Sequence, residues 1–227
     1  MKKSILFFVV FVLIALTGIF YGNSISNQFT HLRIWNYENI ALLLVGLPFL
    51  FLQQKAGLPD VCNKDLTFRQ QFLTPFGIGI LFGLADLVVI EFFLTHTTHT
   101  SMPPYTQPFP YSIFLYSSGA FEIEIFYRLI PITLILFIFS KIKNGAYQSQ
   151  AFVVIAVLSS LREPIEQFPH GSPWWFIIYA CTTGFGMNFL QAVYYKRNGW
   201  ASSVYMRLGH YLIWHILNGI YIQYVVL

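Results

Sequence analysis

A run of eight residues, Phe121-Glu122-Ile123-Glu124-Ile125-Phe126-Tyr127-Arg128, sets two carboxylates and a guanidinium inside an otherwise apolar stretch. Glu124 and Arg128 are four apart, so a helix puts them on one face, where they would pair. Glu122 lies about 200° from Glu124 around the same helix. The two acids therefore point different ways, one neutralised by Arg128 and the other free to face a cavity. A carboxylate held away from water with no counter-ion is a candidate general base. The competing reading is structural, with Glu124 and Arg128 simply locking helices together.

A second polar group lies near the end of the chain, in Arg207-Leu208-Gly209-His210-Tyr211-Leu212-Ile213-Trp214-His215-Ile216-Leu217-Asn218-Gly219. His215 and Asn218 are three apart and share a helix face, and Gly219 leaves space beside the imidazole. His210 lies nearer the opposite end of this segment and reads as structural. A third group, Arg162-Glu163-Pro164-Ile165-Glu166-Gln167-Phe168-Pro169-His170, carries two prolines that should break a helix. Its Glu163, Glu166 and His170 would either reach a site or form a solvated turn. Cys181 lies in a further apolar segment, and Asp86 and Glu91 in another. His96 and His99 fall in a Thr-rich, uncharged loop with four prolines, 96–110.

The elements that would position these groups are apolar segments of bilayer length. Of the 227 residues 56% are hydrophobic and only 10% charged, against roughly 25% in soluble domains. A chain so poor in charge needs lipid as part of its solvent. Seven segments approach the 20 or so residues needed to span a bilayer: Ser4–Tyr21, Glu38–Leu52, Phe72–Leu94, Tyr111–Ile142, Gln148–Leu161, Pro173–Tyr195 and Ser202–Leu227. The expected fold is an all-α, polytopic transmembrane helix bundle forming a single domain. Residues 1–110 would be accessory helices and 111–227 a catalytic-like core. The apolar run after Met1-Lys2-Lys3 resembles a signal peptide, but no small-residue cleavage site follows, so it reads as a retained first helix.

Lysine and arginine fix an orientation. Lys2, Lys3, Lys55, Lys64, Arg69, Lys141, Lys143, Lys196 and Arg197 fall on one side of such a bundle, and only Arg33 and Arg162 on the other. The N-terminus is therefore expected in the cytoplasm. These basic residues flank apolar segments and do not cluster, so the net charge of +4 does not point to nucleic acid. The expected partners are membrane lipid and a peptide or membrane-protein substrate. A short chain with no organellar signal fits a bacterial plasma membrane. Cys62 lies in a polar loop and Cys181 in a span, so a disulfide between them is not expected.

This topology gives the polar groups a common depth. Glu122 and Glu124 come before the midpoint of a helix entering from the outer face. His215 and Asn218 lie roughly 14–18 Å from an outer end. The Glu163–His170 turn sits at that same outer face. Three helices thus deliver Glu, His and Asn to one level, and ionisable groups inside a membrane mark function by default.

In these residues the chain resembles the CPBP intramembrane protease family (the CAAX-prenyl endoprotease, bacteriocin-processing or Abi group). That family carries Glu-Glu-x-x-x-Arg, then Phe-x-x-x-His, then His-x-x-x-Asn on separate helices. The resemblance spans about Gly119 to Gly219 and is divergent. Glu124 and Arg128 match the first motif, but Ile123 stands where the first Glu is expected and the other acid is shifted to Glu122, which leaves the identity of the base open. His170 has Glu166, not Phe, four residues before it. His215 is followed by Gly219 at the fourth position, with Asn218 one residue early. The resemblance implies hydrolysis of peptide bonds within the membrane. A Glu would activate water, histidines would orient it or bind a metal, and Asn218 would stabilise the oxyanion. Glu124, His170 and His215 are a donor set acceptable to zinc.

Three other readings compete. The segment Ala180-Cys181-Thr182-Thr183-Gly184 resembles exosortase-type transpeptidases, in which an intramembrane Cys works with Arg and His. A catalytically silent relative would act as an immunity or scaffold protein. A transporter would use Asp86, Glu91 and Glu122 as a proton path.

Overall fold

The computed structural model describes residues 2–29, 31–94 and 99–227. Its elements are α1 (Lys2–Gln28), α2 (Tyr37–Leu52), α3 (Arg69–Leu94), α4 (Tyr111–Gly145), α5 (Gln148–Glu166), α6 (Trp174–Asn198) and α7 (residues 200–226). No strand occurs among the described residues. Four helices, α1, α3, α4 and α6, are long and apolar enough to cross a membrane, and α2 is a shorter apolar helix.

Beside an apolar core the bundle buries a cluster of polar and charged side chains. Glu124, Arg128, Asn188, Gln191 and Arg207 are fully buried, whereas Leu6, Phe20, Leu81, Phe92, Leu158 and Trp174 face outwards. Outward-facing side chains of this kind suit an apolar solvent. At one end of the bundle aromatic rings seal the core. Phe121 of α4 stacks on Phe11 of α1 at 4.5 Å and meets Trp200 of α7 at 5.0 Å. The first helix is thus packed into the bundle along α4.

Local chemistry explains most boundaries. Asn36 caps α2 by accepting hydrogen bonds from the amides of Glu38 and Asn39, and the Asn39 side-chain oxygen accepts one from the Asn36 amide. The α4–α5 reversal uses left-handed backbone at Lys143, Asn144 and Gly145. Between α6 and α7 the chain turns at Gly199, with φ of 102°. A Cβ there would sit 2.5 Å from the Asp60 carbonyl oxygen, so no side chain fits.

The closest helix crossing is that of α3 with α7. A Cβ on Gly79 would lie 1.9 Å from the Met206 carbonyl, and one on Gly209 would lie 2.2 Å from that of Phe76. Small residues let the two backbones touch. The crossing brings Asp86, two turns beyond Gly79, beside His210, which follows Gly209.

Two prolines lie within helices. Pro164 does not end α5, which continues to Glu166. A proline in the last turn removes a single backbone bond, and its ring packs against Gly184, where a Cβ would stand 3.3 Å away. Pro131 is accommodated by a wide i→i+5 turn over Ile125–Leu129. Pro131 has no amide hydrogen to give the Tyr127 carbonyl, and the Arg128 guanidinium donates to that oxygen at 3.1 Å.

Candidate active site

Between these helices lies a cavity of about 810 Å³, a volume typical of small-molecule and cofactor sites. Its walls come from α3, α4, α5, α6 and α7 and from the segments around Arg33 and Tyr105. Of the residues singled out by sequence, Asp86, Glu122, Glu163, His210 and His215 line it, whereas Glu124, His170 and Asn218 do not. Helices α4, α5 and α7 thus deliver acid and imidazole groups to one space, and the N-terminal half adds Asp86, Ile90 and Tyr105.

Glu122 is half-buried in the cavity wall and makes no hydrogen bond or ion pair among the described residues. Its carboxylate is therefore available to whatever occupies the cavity.

His215 is held on three sides. Its ring stacks on Tyr116 at 4.3 Å and meets Tyr211 edge-on at 4.5 Å. Its Nδ1 lies 2.6 Å from the Tyr105 carbonyl oxygen. A carbonyl can only accept, so Nδ1 carries the proton and Nε2 is left with a lone pair. Among the described residues no group donates to Nε2.

Glu124 and Arg128 do not pair with each other, contrary to the i,i+4 expectation. The wide turn begins immediately after Glu124 and rotates Arg128 off its face. Glu124 instead accepts from Arg207 Nε at 2.9 Å and from the Ser203 hydroxyl. Arg207 also grips Glu163 with both terminal nitrogens, at 2.9 and 2.8 Å. Arg128 donates to Asn188 and, at 3.0 Å, to Gln191. Two acids and two arginines are thus mutually neutralised by helices α4 to α7. This arrangement leaves Glu124 no free oxygen for chemistry and leaves Glu122 as the available acid of the pair.

His210, read from sequence as structural, faces the cavity. Its Nε2 donates to Asp86 at 2.7 Å, and Tyr179 donates to the other Asp86 oxygen at 2.8 Å. The Gly79 and Gly209 spacing carried a signal for this pairing, because small residues on two helices mark a close crossing.

Asn218 donates to Glu91 at 3.0 Å rather than facing the cavity. His170 is exposed on the 167–173 turn beside the Phe168 ring. The predicted zinc set of Glu124, His170 and His215 does not fit a shared metal, since Glu124 is closed off by Arg207 and His170 lies outside the cavity. No group of three acid, histidine or cysteine residues among the described residues could hold a metal ion. His99 donates to Glu91 at 3.0 Å, and His96 lies outside the described residues. Cys181 is a free thiol that lines the same cavity.

Compared with known proteins, the chain matches no family model, no curated protein and no solved structure.

Proposed function

We propose that this chain is an intramembrane endopeptidase, a divergent relative of the CPBP proteases, with Glu122 as general base and His215 as the group that orients the attacking water. One observation carries the reading: a carboxylate and an imidazole Nε2, neither with a hydrogen-bond partner among the described residues, face the same cavity from two helices. Water bound between them would give one hydrogen to each. Glu122 takes a proton as the oxygen adds to the peptide carbonyl. It then returns the proton to the leaving amine, so no net proton is consumed at the carboxylate.

The substrate is a peptide segment that enters from the bilayer or its edge. All seven helices cross or enter the bilayer in this reading, with the N-terminus on the cytoplasmic side of a bacterial plasma membrane. The asymmetry of lysine and arginine supports that orientation. It puts the cavity near the outer face. Single-cysteine labelling at positions 55 and 172 tests the topology, since only position 172 should react with an impermeant reagent added outside.

A second reading has one observation in its favour. Cys181 lines the same cavity as His215, so a thiolate nucleophile would find an imidazole in the same space. The experiment that tests both compares new protein termini in membranes carrying wild type, Glu122→Gln or Cys181→Ala. Termini lost only with Glu122→Gln support the carboxylate mechanism. Termini lost only with Cys181→Ala support the thiol. No new termini with wild type would indicate a catalytically silent protein.

A further inference from the structure

Glu91 sits on α3, outside the cavity wall, yet gathers three donors. The His99 Nε2 reaches one oxygen at 3.0 Å, and Asn218 Nδ2 and the Tyr105 hydroxyl reach the other at 3.0 and 3.1 Å. Burial, reinforced by the Glu91 charge beside it, raises the pKa of Tyr105, so its hydroxyl remains a donor.

Tyr105 links this acid to the site. Its ring stacks on Trp214 at 4.7 Å, and its carbonyl accepts from both Tyr116, at 2.8 Å, and His215. Tyr116 in turn receives the Arg33 guanidinium at 2.8 Å and stacks on the His215 ring. The residue before His215 and the one three after it are therefore both tied to the Glu91–Tyr105 joint.

We infer that Glu91 is a positioning residue, which holds Tyr105 so that its carbonyl fixes His215 with the proton on Nδ1 and the lone pair on Nε2. The inference rests on the hydrolytic reading for its consequence, but the tautomer is measurable without activity. It assigns Asn218 to this joint rather than to an oxyanion site. It also gives the chain from 99 to 110 a task, since without it no carbonyl would meet Nδ1. Groups that orient a functional histidine through its second nitrogen matter to activity at the level of about 10–100-fold.

The test is nitrogen NMR of the full chain, labelled at its six histidines, in lipid nanodiscs. His215→Gln assigns the relevant signals. Wild type should show His215 as a single tautomer protonated on Nδ1. Glu91→Ala and Glu91→Gln should give mixed tautomers, whereas Glu91→Asp should restore most of the wild-type signal. Tyr105→Phe keeps the carbonyl but loses the hydroxyl, and should mimic Glu91→Gln. Where cleavage is measurable, Glu91→Gln should lower kcat about 10–100-fold with KM within about twofold. An unchanged His215 tautomer in folded Glu91→Ala or Glu91→Gln would overturn the inference. A changed tautomer in a protein that cleaves nothing would uphold it and count against the endopeptidase reading instead.

Discussion

Glu124 lies 2.9 Å from the guanidinium of Arg207, eighty-three residues away, and is not paired with Arg128, four residues away in its own helix. That relationship divides the two acids of α4 by task. Glu124 belongs to a neutralised lock shared by α4, α5, α6 and α7, and Glu122 is left facing the cavity. Arg207→Ala would strand Glu124 and Glu163 in a buried site. Removing one partner of such a pair costs about 3–5 kcal/mol. The variant should therefore show a much lower unfolding midpoint in detergent, measured by tryptophan fluorescence, whereas Glu122→Gln, which breaks no protein contact, should shift stability by less than about 0.5 kcal/mol.

The contact of α3 with α7 should be intolerant of any side chain. Gly79→Val would drive the Met206 backbone away and, with it, separate Asp86 from His210. Overpacking of this kind costs about 1–3 kcal/mol, and a backbone clash falls at the upper end. Gly77, where a Cβ meets nothing within 4 Å, is the control: Gly77→Ala should leave the midpoint unchanged or raised. The same unfolding assay, run on both variants, checks this.

Asn218 separates two accounts of the site. Loss of an oxyanion donor costs about 10²–10³-fold in kcat. A group that only steadies Glu91 should cost less, about tenfold. Asn218→Ala is expected at the lower figure, with a KM close to wild type, in a steady-state cleavage assay. His170→Ala, exposed and outside the cavity, should retain wild-type rates.

Much of the architecture was legible in the sequence because it depends on composition and spacing. Apolar segments separated by polar turns marked the helices, and Glu122 and His215, singled out by residue type, line one cavity. What was not legible depends on local departures from regular helix. Wide turns occur at Ile125–Leu129, Val89–Leu94 and Leu212–Leu217, and each holds a residue whose direction mattered: Arg128, Glu91 and His215. A strict 3.6-residue count pairs Glu124 with Arg128, and only the wide turn that answers Pro131 undoes that pairing. The contact of His210 was hidden for a different reason. Its partner Asp86 lies 124 residues away, and no single-helix pattern shows such a contact. His170 followed from a motif whose spacing the chain does not keep, and it sits on an exposed turn.

In the proposed hydrolytic mechanism the carboxylate of Glu122 activates water in the cavity. Its most direct test is the cleavage rate of purified wild type, Glu122→Gln and Cys181→Ala in nanodiscs, on a substrate identified from new termini in membranes. Glu122→Gln should fall by at least about 10²-fold while folding normally, and Cys181→Ala should cleave as wild type does. A Glu122→Gln protein that cleaves at the wild-type rate would contradict the mechanism.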